Sequence, residues 1–263
     1  VKEPVPGSDV RLTIDIDLQI TAEDALADNI RLIREEADPK PGEHDGEDAH
    51  SGAVVALDPD TGALLAAASY PTYRLSDYID NYAALAADEN RPLYNRALLG
   101  TYTPGSTYKP SVAIAALDTG LINRYSTVYC NGVYNYFKDY HPRCTRHGHS
   151  GNIDVITAIK WSCNIFFYDV GRRTTSDVYD AYAYKMGLGV RTGVEVNEAT
   201  GRLTTKNDSN YTASLDVQAA IGQGNTVVTP VQLATYAGTL ANRGIRYRTH
   251  FVKAILDSNT GET

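Results

Sequence analysis

The segment formed by residues 103–109 constrains this chain of 263 residues more than any other. It places Ser106 three residues before Lys109, where a loop enters a helical pattern, so the two side chains are expected on one helix face. Residues 112–117 are all apolar and predict a helix that is buried on most sides. A lysine at the start of a buried helix needs a partner or a chemical role, because burial disfavours its charge.

The Ser106–Lys109 pair is suited to nucleophilic chemistry. A serine hydroxyl is a weak nucleophile at neutral pH unless a neighbouring base takes its proton, and a lysine amine can act as that base when burial lowers its pKa. We therefore predict Ser106 as the nucleophile and Lys109 as the base, in direct contact. The structural alternative is that Ser106 caps the helix and Lys109 is solvated, although a cation in the first turn opposes the helix dipole.

A second polar motif occurs at residues 162–164, where Ser162 and Asn164 flank Cys163 between two apolar helical patterns. Polar groups between buried segments must find hydrogen-bond partners, so the hydroxyl and the amide are expected to point into one cavity. Taken alone, the triplet also fits an ordinary turn between helices. Its occurrence together with the Ser106 motif favours a shared site.

These two motifs resemble the S-x-x-K and S-x-N signatures of the penicillin-binding proteins and serine β-lactamases. The resemblance runs from about residue 10 to the C-terminus, and it is strongest to the monofunctional (class B) transpeptidases of the elongation type. The segments that also resemble that transpeptidase domain are residues 51–71, 95–106, 147–149, 220–224 and 229–233.

The resemblance implies an α+β fold of the penicillin-binding and serine β-lactamase type, with an antiparallel sheet, a helical subdomain and flanking helices. Strands at both ends of the chain with helices between them support the same class. Residues 1–9 are predicted as a linker and residues 10–263 as the transpeptidase domain. Strands are predicted at 10–16, 53–57, 63–68 and 249–257, and helices at 17–37, 106–118, 153–160, 163–172, 175–186 and 230–242.

By this resemblance, Ser106 attacks the D-Ala-D-Ala amide of a peptidoglycan stem peptide, and its own backbone N–H is half of the oxyanion hole. Lys109 takes the hydroxyl proton, Ser162 relays that proton to the departing D-alanine, and Asn164 orients Lys109 and binds the substrate amide. Implied partners are stem peptides, β-lactam antibiotics and a glycosyltransferase. The implied location is the extracytoplasmic face of a bacterial membrane, reached through an anchor outside this chain. No cofactor is expected.

One family motif is missing. No K-T-G or K-S-G follows Gly224, and residues 191–193 (Arg-Thr-Gly) occur too early and are interpreted as a structural loop. The resemblance therefore implies a transpeptidase domain that is incomplete at its C-terminus, with the third motif, its strand and a final helix beyond residue 263.

Two other functions stay open. A serine β-lactamase needs a carboxylate that activates the deacylating water, and no E-x-x-x-N occurs between Ser162 and Gly224. Glu198 lies in that interval but is interpreted as structural. A β-lactam sensor or a non-catalytic scaffold of wall synthesis would fit the same motifs. A nucleic-acid partner is disfavoured, because the net charge is −8 and the pI is about 5.2.

The state of the cysteines is also open. Cys130 and Cys144 flank a tyrosine-rich segment and could form a disulfide, stay as free thiols, or bind zinc with a nearby histidine (His141, His147 or His149). Cys163 is expected as a buried free thiol. The site itself is predicted without a metal.

Overall fold

The computed structural model describes residues 7–38, 45–145 and 148–257. The strands are β1 (Asp9–Leu12), β2 (Gly52–Leu57), β3 (Leu64–Tyr70), β4 (Thr127–Cys130), β5 (Gly151–Asp154) and β6 (Val252–Leu256). The helices are α1 (Ile16–Glu35), α2 (Leu75–Asp80), α3 (Tyr82–Ala87), α4 (Lys109–Asp118), α5 (Val155–Lys160), α6 (Asn164–Thr174), α7 (Ser176–Lys185), α8 (Ala213–Ala219) and α9 (Pro230–Ala241). A 3-10 helix at Gly105–Tyr108 precedes α4.

The chain divides into two compact units. The first is drawn from Val1–Thr101, Arg191–Ala199 and Thr229–Thr263, and the second from Tyr102–Val190 and Thr200–Val228. The predicted α+β class is confirmed, and the strands of the described residues pair antiparallel as β1 with β6, β2 with β3 and β4 with β5. The predicted linker boundary at residue 9 stays a prediction.

The first unit is built on the β2–β3 hairpin, against which α1 and α9 pack. Alternate residues of β3 point into its core, and Leu64, Ala66 and Ala68 are fully buried. The strand predicted at 10–16 is too long, because the Asp15 carboxylate accepts the N–H groups of Asp17 and Leu18 and so caps α1.

The Arg-Thr-Gly segment lies in this first unit and forms a structural loop, as the sequence predicted. The buried Glu198 carboxylate accepts hydrogen bonds from Thr192 N (3.0 Å), Thr192 Oγ1 (2.8 Å) and Gly193 N (2.9 Å). The Arg248 side chain donates to Gly193 O at 2.8 Å. Glu198 therefore holds this loop, which confirms its structural interpretation.

The second unit is helical and centres on α4, which packs against α6 and α7. Its core includes Val112 and Ala116 of α4 and Phe166 and Val170 of α6, all fully buried. The β4–β5 hairpin and the short helix α8 were not predicted. Helix α5 starts two residues later than expected, since residues 151–154 pair with β4 and Asp154 then caps the helix through the Thr157 N–H.

No helix in the described parts of the chain combines the length and apolar composition needed to cross a bilayer.

Candidate active site

The predicted nucleophile lies on a turn fixed by glycines. Gly105 has φ +57°, a conformation that favours glycine, and the 3-10 helix that it begins continues directly into α4. The Gly105 N–H donates to Gly222 O at 2.9 Å, which ties this turn to residues 220–224. Ser106 thus follows a residue in the left-handed conformation, shortly before the buried helix α4 begins.

The S-x-N motif forms the turn between α5 and α6. Ser162 has φ +52°, which costs on the order of 1 kcal/mol for a residue with a side chain. This conformation directs both the carbonyl oxygen and the hydroxyl of Ser162 to the Lys109 amine. Asn164 follows at the first position of α6 and also contacts that amine. The strained turn therefore supplies all three hydrogen-bond partners of one lysine.

The Lys109 amine has three hydrogen-bond contacts, which either its charged or its neutral form can make. Its Nζ donates to Ser162 O at 2.8 Å and to Asn164 Oδ1 at 2.7 Å, and it lies 2.8 Å from Ser162 Oγ. A neutral amine offers two N–H donors and one lone pair. Two of its neighbours can only accept hydrogen bonds, whereas the third is a hydroxyl that can donate. The lone pair can therefore face Ser162 Oγ.

The environment of Lys109 lowers its pKa. The residue is 2% exposed, and burial lowers the pKa of its amine from 10.5 to about 8, although the thiol groups of Cys144 and Cys163 act in the opposite direction. Its three hydrogen-bond partners in the described residues include no carboxylate. The fraction of neutral amine rises with pH and exceeds one half above pH 8.

Ser106 reaches this amine through Ser162. The two serine Oγ atoms lie 2.8 Å apart, and Ser162 Oγ in turn contacts Lys109 Nζ. In the described chain, Ser106 Oγ and Lys109 Nζ share Ser162 Oγ as a hydrogen-bond partner, and no hydrogen bond joins the two directly. The direct proton transfer between them stays a prediction. A hydroxyl can accept one proton and donate another, so the three groups form a continuous proton path.

Asn164 is held at both ends of its amide. The Oδ1 atom accepts from Lys109, and the Nδ2 atom donates to Arg143 O at 3.2 Å. This arrangement supports the predicted orienting role. The predicted contact with a substrate amide stays a prediction.

The Ser106 N–H lies at the start of the 3-10 helix, where no acceptor exists within the helix. It also has no hydrogen-bond acceptor elsewhere in the described chain. The predicted role in an oxyanion hole is compatible with this position and stays a prediction.

Gly222 is a functional residue that the sequence did not single out. Its φ is +73°, and a Cβ placed there would lie 2.2 Å from Gly105 O and 2.7 Å from Tyr108 Cβ. Only glycine allows this approach to the turn that carries Ser106. The signal in the sequence was the resemblance of residues 220–224 to a family segment, but the pattern did not show what the glycine contacts.

A second polar cluster adjoins the site. The donor atoms of Cys130, Cys144, Cys163 and His149 all lie within 4.8 Å of one another, and all three cysteines are buried free thiols rather than a disulfide. The Cys144 Sγ lies 3.5 Å from His149 Nε2. Of the other histidines considered, His147 lies outside the described residues.

The cluster has the donor set of a structural zinc site. Three sulfurs and one imidazole match the tetrahedral Cys₃His type, in which a Zn–S distance of about 2.3 Å separates sulfurs by about 3.8 Å. Burial raises the pKa of Cys163 to about 12, so a thiolate there requires a nearby cation. The cluster includes Cys163, the middle residue of the S-x-N turn.

The chain matches the family described as penicillin binding protein transpeptidase domain over residues 52–263. It belongs to this family of transpeptidase domains. Among curated relatives, it is similar to the peptidoglycan D,D-transpeptidase MrdA of Escherichia coli strain K12, with 31% identity over 92% of this chain and 37% of the relative. The chain thus spans well under half the length of the MrdA proteins that it resembles.

Solved structures show the same relationship. Pseudomonas aeruginosa PBP2 in complex with WCK 5153 is 33% identical, with a TM-score of 0.81 over 96% of this chain and 56% of that one. A chain of a peptidoglycan synthase complex that coordinates polymerization and crosslinking is 36% identical, with a TM-score of 0.82 over 97% of this chain and 45% of that one. The penicillin G acyl-enzyme complex of penicillin-binding protein A from M. tuberculosis is 25% identical, with a TM-score of 0.79 over 98% of this chain and 57% of that one.

The contact between Gly222 and the nucleophile turn gives a testable prediction. Gly222→Ala places a methyl group against the Gly105 carbonyl, so we expect about 2 kcal/mol or more of lost stability and a loss of Ser106 reactivity. Gly120→Ala is the matched control, because Gly120 has φ +71° but a Cβ there meets nothing within 4 Å. Thermal unfolding of the two variants provides the comparison. Equal stability of the two variants would contradict the assignment.

Proposed function

We propose that this chain is the catalytic domain of a D,D-transpeptidase that cross-links peptidoglycan stem peptides through a serine acyl-enzyme, the species that β-lactams also form. The observation that carries the proposal is the continuous path from Ser106 Oγ through Ser162 Oγ to Lys109 Nζ, which ends on a buried lysine. The MrdA relatives are named for this activity.

In the acylation step, Ser106 Oγ forms a bond to the carbonyl carbon between the two terminal D-alanines. The hydroxyl proton passes to Ser162, whose own proton passes to the neutral Lys109 amine. The tetrahedral oxyanion is stabilised by the Ser106 N–H. Collapse breaks the C–N bond, and the proton returns from Lys109 through Ser162 to the departing D-alanine nitrogen.

In the second step, the amino group of another stem peptide attacks the Ser106 ester. Lys109, again neutral, takes a proton from the attacking nitrogen through Ser162, and the C–O bond to Ser106 breaks. The leaving Ser106 oxygen recovers a proton by the same path. One amide bond is broken and one is made, so no external energy source is required.

A hydrolytic β-lactamase is less well supported. Its deacylation needs a base that activates water. In the described part of the second unit, the groups bonded to Ser106, Lys109 and Asn164 are hydroxyls, amides and backbone carbonyls. A non-catalytic scaffold needs no proton path, whereas the geometry provides one. A β-lactam sensor would use the same path for its acylation, so the experiment below separates it from a transpeptidase.

The proposal extends to location and partners. The MrdA relatives are named for a peptidoglycan reaction, and the peptidoglycan synthase neighbour is named for polymerization together with crosslinking. Action at the extracytoplasmic face of a bacterial membrane, beside a glycosyltransferase partner, is part of the same proposal.

Fluorescent penicillin labelling of the complete gene product tests the proposal. We expect one long-lived label per molecule, no label in Ser106→Ala, and labelling at least about 100-fold slower in Lys109→Ala, since general base catalysis contributes that much. Lys160→Ala, which removes an exposed lysine just before the S-x-N turn, is the control and should label normally.

The other functions give different results in the same experiment. Rapid release of the label would identify a β-lactamase. Stable labelling without D-alanine release from a pentapeptide substrate would identify a sensor. A label retained in Ser106→Ala would show that the nucleophile is another residue.

We also propose that Cys130, Cys144, His149 and Cys163 hold one Zn²⁺ in a structural role. The four donors come from the end of β4, the loop after it and the S-x-N turn, so one ion would link three segments. Since Cys163 lies between Ser162 and Asn164, such a site would fix the turn that binds Lys109. The sequence predicted a site without a metal. We propose a metal instead because the four donor atoms lie within 4.8 Å of one another.

Metal analysis tests the zinc site. We expect about one equivalent of zinc in the purified protein, lost in His149→Ala and retained in His141→Ala, since His141 is an exposed histidine of the same loop that is outside the cluster. Strong chelators should lower the unfolding temperature of the parent protein. Metal-free protein with three titratable thiols would contradict the assignment.

A further inference from the structure

Tyr108 connects the nucleophile turn to a buried carboxylate. It lies between Ser106 and Lys109 in the sequence, is fully buried, and donates a 2.6 Å hydrogen bond from its hydroxyl to Asp180 Oδ1. Asp180 is on α7, 72 residues away in the chain, and is 4% exposed. This bond joins the S-x-x-K turn to a helix that carries no other residue of the proposed site.

Burial of the Asp180 carboxyl lowers the stability of the fold. Its second carboxylate oxygen, Oδ2, is buried without a hydrogen-bond partner in the described chain, and no ion pair there involves this residue. A buried carboxylate with one hydrogen bond and no cation costs stability. A role at the active site would explain such a cost, whereas core packing would not.

We propose that Asp180 is a positioning residue for the transpeptidase reaction, acting through the Tyr108 hydroxyl to hold the turn that presents Ser106 and Lys109. The inference goes beyond the proposed function but rests on it. In the described chain, neither Tyr108 nor Asp180 is hydrogen-bonded to Ser106 Oγ or Lys109 Nζ, so their effect is on geometry.

The turn is otherwise held by contacts to its backbone and to its two reactive side chains. Gly105 N–H binds Gly222 O, and Ser106 and Lys109 both contact Ser162. Tyr108, which lies between the two reactive residues in the sequence, adds a side-chain hydrogen bond to α7. Because a misplacement of about 1 Å can cost about 100-fold in rate, loss of this contact is expected to affect acylation.

The protonation state of Asp180 gives the proposal a distinctive signature. Burial raises the pKa of its carboxyl to about 7, with further upward contributions from Asp216 of α8, Asp177 of α7 and Asp208. The hydrogen bond from Tyr108 acts in the opposite direction, because it favours the ionised form.

The other acidic groups around Asp180 have partners of their own. Asp177 forms an ion pair with Lys206, and Asp208 lies 3.0 Å from an Arg202 nitrogen. The Tyr179 hydroxyl of α7 donates to the backbone oxygen of Asp216 at 3.0 Å and lies 3.4 Å from its carboxylate Oδ1. From the nucleophile side, α4 presents Lys109 to Ser162 and Asn164, while Asp118 at its other end accepts from Tyr182. Asp180 therefore keeps Tyr108 as its direct partner.

The strength of the Tyr108–Asp180 hydrogen bond changes with pH. Above pH 7 the ionised carboxylate accepts a strong hydrogen bond from Tyr108, and below pH 7 the neutral acid accepts a weaker one. Stability changes in the opposite sense, since a raised carboxyl pKa means that folding stability falls as pH rises from about 4 to 7. Positioning and stability therefore respond to pH in opposite directions.

Tyr108→Phe tests the hydroxyl directly. In the complete gene product, we expect the acylation rate constant for a fluorescent penicillin to fall about tenfold while the dissociation constant of the non-covalent complex is unchanged. Tyr179→Phe is the matched control, because it removes the hydroxyl of an equally buried tyrosine that packs edge-on against Tyr108 at 6.2 Å but bonds to Asp216. Equal acylation rates in the two variants would overturn the proposal.

Asp180→Asn tests whether ionisation of the Asp180 carboxyl affects acylation. This test remains informative even if Tyr108→Phe folds poorly. Asparagine keeps an acceptor for Tyr108 but has no ionisation. Between pH 5 and 6.5, the logarithm of the parent's acylation rate should rise with a slope above one, because Lys109 and Asp180 both titrate, whereas the variant should show a slope of one. Its unfolding temperature at pH 8 should equal or exceed that of the parent.

The outcomes separate this inference from the proposed function. If the unsubstituted protein takes no label at Ser106, the transpeptidase proposal itself fails. If it labels but Asp180→Asn keeps the parent's pH profile, Asp180 is a core residue and the positioning role is wrong.

Discussion

The burial of Lys109 away from any carboxylate is the constraint on which the rest of the site depends. A charged lysine in this position would lack a counter-ion, so the protein either accepts a large cost or holds the amine neutral for part of the time. The pKa of about 8 indicates the second outcome. Ser162 O, Asn164 Oδ1 and Ser162 Oγ all accept hydrogen bonds from the amine. When the amine is neutral, its lone pair can take the place of the N–H that faces Ser162 Oγ.

The fold provides this environment by packing two distant motifs against each other. Helix α4 begins at Lys109, and the 3-10 helix directly before it carries Ser106. Helix α6, which packs on α4, carries Asn164 at its first position. The turn before α6 accepts a left-handed conformation at Ser162, and the glycine at position 222 lets residues 220–224 approach the nucleophile turn. A strained backbone position and a close backbone approach thus both lie where the reactive groups meet.

The buried helix α4 and the grouping of the site residues could be predicted from the sequence, for identifiable physical reasons. The apolar run of residues 112–117 predicted a buried helix, and the spacing of Ser106 and Lys109 predicted a shared face. Spacing does not fix rotamers, so the sequence did not show that Ser162 Oγ is hydrogen-bonded to both side chains. The bond from Tyr108 to Asp180 joins residues 72 positions apart, and the Cys–His cluster has no standard spacing, so both depend on tertiary packing that local patterns do not encode.

The central claim is that Ser106, Ser162 and Lys109 form one proton path, and a double-mutant cycle tests it most directly. The acylation rate constant would be measured for Ser162→Ala, Lys109→Ala and the double variant. If the two residues act in one path, the double variant should react no more slowly than the worse single variant, because either change already breaks the path. Rate losses that multiply in the double variant would show that the two residues act independently and would contradict the account.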